Sequence, residues 1–275
     1  MPYIKDWSPS AAVQILVYGQ AKLGKTWGAM TFPRPVVMDF DGGVSTARNP
    51  AFVAQYGMRD IFYETFEDTN RTKGVVTSHN AFDDACRFFD EWMKKSGKWK
   101  GIEVGAERFD TWVIDSGTTL SEVAQNKAVI LTGAMKLSRT HADALQHGVV
   151  IPRIQDYGSE RSLVEQFIDM VKASGKNLIL LCHEKEVSSD AGYITGIVPL
   201  LTGRSSEVVP LKFDEVYNLR IKKEGNEIKR YIQTQPDGLR KVGSRYGIPD
   251  GTTWEWNTIE SELTRIKNTQ TTTKE

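Results

Sequence analysis

Four stretches of the chain are apolar at nearly every position: Val13-Gln14-Ile15-Leu16-Val17-Tyr18, Val36-Val37-Met38, Thr111-Trp112-Val113-Ile114 and Asn177-Leu178-Ile179-Leu180-Leu181-Cys182. Short, largely β-branched runs bounded by polar residues or glycines predict strands buried on both faces. Ala81 to Met93 instead carries Phe82, Ala85, Phe88, Phe89 and Trp92 at helical spacing, which predicts an amphipathic helix with its aromatics in the core. Helical spacing also runs through 118–148, broken at Gly133 and Gly148, and through Leu163 to Val171 with Ser159 as a cap. Phe213 to Ile221 and Glu227 to Thr234 alternate in strand fashion around Lys223-Glu224-Gly225-Asn226, which predicts a hairpin near the C-terminus.

Two polar stretches read as loops. Lys94, Lys95, Lys98 and Lys100 around Trp99 suggest a solvated connection, and 186–206, punctuated by Gly192, Gly196 and Gly203, suggests a mobile loop. A last helix is expected around Ile259 to Ile266. The organisation is then one α/β domain over 1–262 and a disordered polar tail over 263–275.

Between the first two strands lies Gly19-Gln20-Ala21-Lys22-Leu23-Gly24-Lys25-Thr26, a full match to G-x-x-x-x-G-K-[ST], followed by Trp27. Glycines let the backbone wrap closely around phosphates, and the turn aims several N–H groups at one anion. Lys25 reaches the β/γ-phosphates, and Thr26 offers its hydroxyl to Mg²⁺. The helix that Thr26 and Trp27 open ends before Pro33 and Pro35, so strand, loop and helix occur in the order this chemistry needs.

Carboxylates stand where ligands bind in open α/β sheets, beyond the carboxyl ends of strands. Asp39 ends the second strand, Val36 to Asp39, and Asp41 follows it with Gly42 and Gly43; Asp115 and Ser116 end the third apolar run, the form of a strand delivering a carboxylate to Mg²⁺ or its waters. His183 closes the fourth run, a position from which a side chain can sense a γ-phosphate.

Thirty-five basic residues balance thirty-five acidic ones, so net charge does not point to nucleic acid. A local basic excess does exist in Lys127, Lys136, Arg139, His141, His147 and Arg153. Cys86 and Cys182 match no metal or redox spacing, and neither a signal region nor a bilayer-length apolar stretch is expected, so a cytoplasmic protein is the expectation.

On GQAKLGKT at 19–26, VVMDFDGG at 36–43, TWVIDS at 111–116, LILLCHEK at 178–185 and KVGSRYG at 241–247, the chain resembles the RecA-like P-loop ATPases. It is most similar to the bacteriophage nucleotide-binding branch that includes single-strand annealing recombinases. The resemblance implies an α/β fold with a mostly parallel central sheet flanked by helices and a C-terminal β-hairpin. It implies Mg²⁺-dependent ATP hydrolysis coupled to single-stranded DNA in phage recombination or replication, in a homo-oligomeric ring or filament in the host cytoplasm. The family's water-activating carboxylate, usually glutamate, falls on Asp41, with Asp39 as the alternative. Its γ-phosphate sensor falls on His183. Its basic motif reaching a neighbour's nucleotide falls on Arg245, with Lys241 nearby and Gly243 where lysine is usual. DNA-binding loops would lie within 117–157 and 186–206. Two other readings stay open: a nucleotide-dependent assembly or regulatory protein acting on protein partners, and a helicase or packaging motor.

Overall fold

All four apolar runs are interior strands of one nine-stranded sheet. The computed structural model describes residues 12–68, 71–72, 75–76, 79–133, 152–225 and 227–272. In chain order its strands are β1 (Gln14–Gly19), β2 (Pro35–Asp39), β3 (Phe62–Thr65), β4 (Arg71–Thr72), β5 (Val75–Val76), β6 (Gly97–Trp99), β7 (Ile102–Val104), β8 (Thr111–Asp115), β9 (Asn177–Ser188), β10 (Ile194–Pro199), β11 (Glu215–Glu224), β12 (Glu227–Gln233) and β13 (Gly243–Ser244). The α-helices are α1 (Lys25–Ala29), α2 (Pro50–Tyr56), α3 (Ala81–Met93), α4 (Gly117–Gly133), α5 (Ile154–Ala173), α6 (Ser205–Val208) and α7 (Trp256–Thr272).

The main path of the sheet is β12-β11-β1-β9-β8-β2-β3, with β10 on β9 and β13 on β11. Every pairing from β11 to β3 along this path is parallel, and β12 closes the other edge as the antiparallel half of a hairpin. This is the expected α/β arrangement, a mostly parallel sheet with helices on both faces. Both faces are covered, so alternate residues of one strand enter different cores. Leu16, Tyr18, Met38, Trp112, Ile114 and Leu180 pack under α3, α4 and α5. Ile15, Val17, Val37, Val113, Ile179 and Leu181 pack against Phe32, Phe52, Trp254 and α7.

The first core is rich in aromatic edges. Trp112, fully buried, has the rings of Phe109 and Phe89 at centroid distances of 4.5 and 5.5 Å. Truncating such a ring to alanine costs about 3–5 kcal/mol, transfer and cavity terms together. Helix α3 covers the predicted Ala81–Met93, with Phe82, Phe88, Phe89 and Trp92 all buried.

Four expectations change. The lysine-rich stretch after α3 is a small hairpin, β6 with β7, rather than a loop. Residues 186–206 are not one mobile loop: β9 continues to Ser188 and pairs antiparallel with β10, because the outer half of this hairpin is exposed and its polar residues hide the alternation. Helix α5 begins at Ile154, well before Ser159; the Asp156 carboxylate accepts from the Arg153 N–H at 2.7 Å and closes the first turn. The last helix extends to Thr272 across much of the stretch expected to be a disordered tail. Leu263 and Ile266 anchor it to the core, and extending a nucleated helix adds a hydrogen bond per residue fixed. Among the described residues no helix is long and apolar enough to cross a membrane.

Candidate functional site

Parallel strands end together, and the register decides which end residues are neighbours. Gly19 stands opposite His183, and Asp39 opposite Asp115. The loop after β1, the turn after β2 and the start of α4 therefore converge at one edge of the sheet.

The loop from Gly19 to Thr26 has two residues in the left-handed region, Lys22 at φ 65° and Gly24 at φ 97°. Gly24 could not be replaced cheaply, since a Cβ there would also lie 2.2 Å from Arg230 Nε. Lys25 is 6% exposed, and its ammonium donates to the carbonyls of Gly19 at 2.9 Å and Gln20 at 2.8 Å. Burial lowers its pKa, against the raising influence of Asp115. Two of its three donors are engaged in this way.

Thr26 and Asp115 meet directly, Oγ1 donating to Oδ2 at 2.6 Å. Burial pushes the Asp115 carboxyl up to about 6; the Thr26 hydrogen bond and Lys25 work against the shift, while Asp41 and Asp39 add to it. A carboxylate held this way gains most from a cation. The turn leaves space beside the pair: a Cβ on Gly43 would sit 2.6 Å from Asp115 Oδ2 and 3.3 Å from Thr26 Oγ1. A threonine hydroxyl, one carboxylate and room for water fit Mg²⁺, which keeps several waters and takes its remaining ligands from phosphate. Among the described residues no cluster of three or more histidine, cysteine or acidic side chains offers a denser metal site.

The two carboxylates after β2 are in different surroundings. Asp39 is fully buried, and its Oδ1 accepts from the Gly43 N–H at 2.9 Å, so it braces the turn. Burial raises its pKa, offset by the backbone N–H groups of Gly43 and Val44. Asp41 lines the pocket. Its Oδ2 lies 3.3 Å from His183 Nε2, and its Oδ1 accepts from the Thr119 hydroxyl. Burial opposes its charge, but hydrogen bonds from His183, Thr119 and Ser116 outweigh that and hold its carboxyl below the usual range. Asp41 is thus ionised at neutral pH and can orient a water or take its proton.

The pocket bounded by these groups is about 880 Å³. It gathers Ala21, Lys22, Gly24, Lys25, Thr26 and Trp27 with Asp41, Asp115 and His183. Arg245 is elsewhere: it is exposed, pairs with Asp214 and lines a separate cleft beside Lys241 and Gly243. Of the cations expected on DNA, Arg153 pairs with Asp156 at 3.0 Å, while Lys136 and Arg139, like His141 and His147, lie outside the described residues.

Sequence reasoning missed Ser45, Thr46, Asn49, Thr118, Thr119, Glu122, Leu200 and Arg230, all of which line the pocket. Thr118, Thr119 and Glu122 arrive on the first turns of α4, and the Thr118 hydroxyl accepts from the His183 N–H at 3.0 Å. The Ser116-Gly117-Thr118-Thr119 run directly after a candidate metal carboxylate was a readable signal. Arg230, on β12, carried none, since nothing local distinguishes it from the other charges of the hairpin.

A family model described as AAA domain matches residues 11–246. No curated protein matches the chain. Among solved structures, a KaiC-like protein from the hyperthermophilic archaeon Pyrococcus horikoshii OT3 is similar at 14% identity and a TM-score of 0.38, over 84% of this chain and 80% of that one.

Proposed function

The chain belongs to the AAA domain family of P-loop ATPases, and from that premise we propose that it binds and hydrolyses ATP with Mg²⁺ and couples the cycle to single-stranded DNA, as in phage recombination or replication. The observation that carries the nucleotide part is one pocket holding the phosphate loop, the Thr26–Asp115 pair and the Asp41–His183 pair. Residues 1–262 act as a single nucleotide-binding domain in this reading.

The residues divide the work by charge. The loop N–H groups and Lys25 bind the triphosphate. Thr26 and Asp115 would hold Mg²⁺, which when bound supplies charge neutralisation at the phosphate oxygens. Asp41 orients the attacking water and accepts its proton, while His183 and Thr119 fix the direction of its carboxylate. In this reading His183, on β9, also senses the γ-phosphate. Arg245, outward on a different surface, would complete the site of a neighbouring subunit in a ring or filament.

A second reading, nucleotide-dependent assembly acting on protein partners, is favoured by the engagement of Arg153 with Asp156, which withdraws one cation of the local basic excess. Phosphate release with and without single-stranded DNA separates the two. Stimulation by DNA that disappears together with basal turnover in Lys25→Ala supports the first. Wild-type turnover indifferent to DNA, with no DNA binding at low salt, supports the second.

A further inference from the structure

Arg230 is a cation in the pocket that the phosphate-loop chemistry leaves unused. It comes from β12, more than two hundred residues after the loop, and its half-buried side chain is held in two ways. Nε donates to the Leu23 carbonyl at 3.1 Å. The guanidinium lies over the Trp27 ring, 4.7 Å from its centroid. Trp27 is itself fixed edge-on to Phe52 at 5.1 Å and Tyr56 at 6.3 Å. No carboxylate among the described residues lies within ion-pair distance of Arg230. A guanidinium over an indole can offer its other face to a further planar group, because it is planar and weakly hydrated.

Space for such a group is present. Trp27 and Arg230 line both the phosphate pocket and an adjoining cavity of about 420 Å³ walled by Gln55, Tyr56, Thr253 and Glu255. We propose that this is the nucleoside subsite, in which the base of the bound nucleotide stacks on Arg230 and Arg230 stacks on Trp27, all within one subunit. This rests on the reading that the phosphate loop holds a triphosphate. The pair lies at the α1 side of the loop, opposite the Asp41–His183 pair that faces the terminal phosphate in that reading. The C-terminal hairpin then has a function beyond closing the sheet edge: it carries the platform for the base. Recognition is of a planar heterocycle with a π-face, with the Gln55 amide and the Glu255 carboxylate among the polar groups that line the cavity.

The test compares ATP with inorganic tripolyphosphate, which has the phosphates and no base. Binding of each is measured by calorimetry, with Mg²⁺, for the wild type, Arg230→Ala, Arg230→Lys and Trp27→Leu, with circular dichroism melting to show that each variant folds. The expected result is a loss of ATP affinity of about tenfold to a hundredfold in Arg230→Ala, the range of one stacking contact, with tripolyphosphate affinity unchanged. Arg230→Lys, which keeps the charge without the plane, does not rescue, and Trp27→Leu falls in the same direction. Equal losses for ATP and tripolyphosphate would make Arg230 a phosphate contact and overturn the stack, as would rescue by lysine or unchanged ATP binding. Wild-type protein that binds neither ligand would overturn the phosphate-loop reading itself, and the subsite with it.

Discussion

Thr26 Oγ1 lies 2.6 Å from Asp115 Oδ2, although 89 positions separate the two residues. One follows β1 and the other ends β8, with β9 between the two strands in the sheet. The pair exists because three parallel strands end at one level, which makes it a property of the sheet rather than of either motif.

The space beside that pair is testable through Gly43. Gly43→Ala places a methyl against Asp115 Oδ2 and Thr26 Oγ1, where a Cβ would be 2.6 and 3.3 Å away. The expected outcome is a Mg²⁺ requirement shifted upward by about tenfold or more with folding retained, read by titrating Mg²⁺ in a phosphate-release assay. An unchanged Mg²⁺ curve would remove the cation from this position.

Asp41 and Asp39 should fail in different ways. Asp41→Asn keeps nucleotide binding and slows hydrolysis by about 10² to 10⁴, the usual contribution of a positioned base. Asp39→Ala strips the acceptor from the Gly43 N–H and should cost about 1–3 kcal/mol of stability, seen as a lower urea midpoint. Normal turnover in Asp41→Asn would assign the water-activating role to another group.

Glu160 gives the fold a pH dependence of definite sign. It is buried on α5, accepts from the Ser121 and Ser205 hydroxyls, and burial pushes its carboxyl up to about 7. The folded state therefore holds this proton more tightly than the unfolded chain does. Its contribution is complete below about pH 4.5 and is lost as pH rises through about 7. Glu160→Gln, which stays neutral, should be more stable than the wild type at pH 8 by about 1–3 kcal/mol and equal to it at pH 4.5. Denaturant midpoints at the two pH values read the difference. Asp115, also raised, leaves a smaller decline of the same sign in the variant.

If Arg245 serves a neighbouring site, complementation follows. Its ion pair with Asp214 is exposed, so Arg245→Ala should leave thermal stability nearly unchanged. The same variant should lose about 10³-fold or more in turnover if its guanidinium offsets charge on the transferred phosphoryl. Mixing it with Lys25→Ala should partly restore activity, since one interface then has an intact loop and an intact arginine. Wild-type turnover by Arg245→Ala alone would end the shared-site model.

Local structure was legible along the chain. The phosphate loop, the buried strands around it and Asp115 could be read because each depends on contiguous residues: glycines that permit a tight turn, apolar runs that need cover on both faces, an acid at a strand end. The helix over Ala81–Met93 was readable for the same reason, its periodicity being contained in thirteen residues. The hairpin of β9 and β10 was not, because half of it faces solvent and polar residues there satisfy strand and loop equally. The difference between Asp39 and Asp41 belongs to tertiary structure, since only the turn shows which carboxylate spends its oxygens on backbone N–H groups and which opens to the pocket. Arg230 is the extreme case. It stands among ordinary hairpin charges in the sequence and acquires its place on Trp27 only when β11 pairs with β1 and brings β12 over the loop. A turn or a strand is specified by neighbours along the chain, whereas a site is specified by which strand ends the sheet brings side by side.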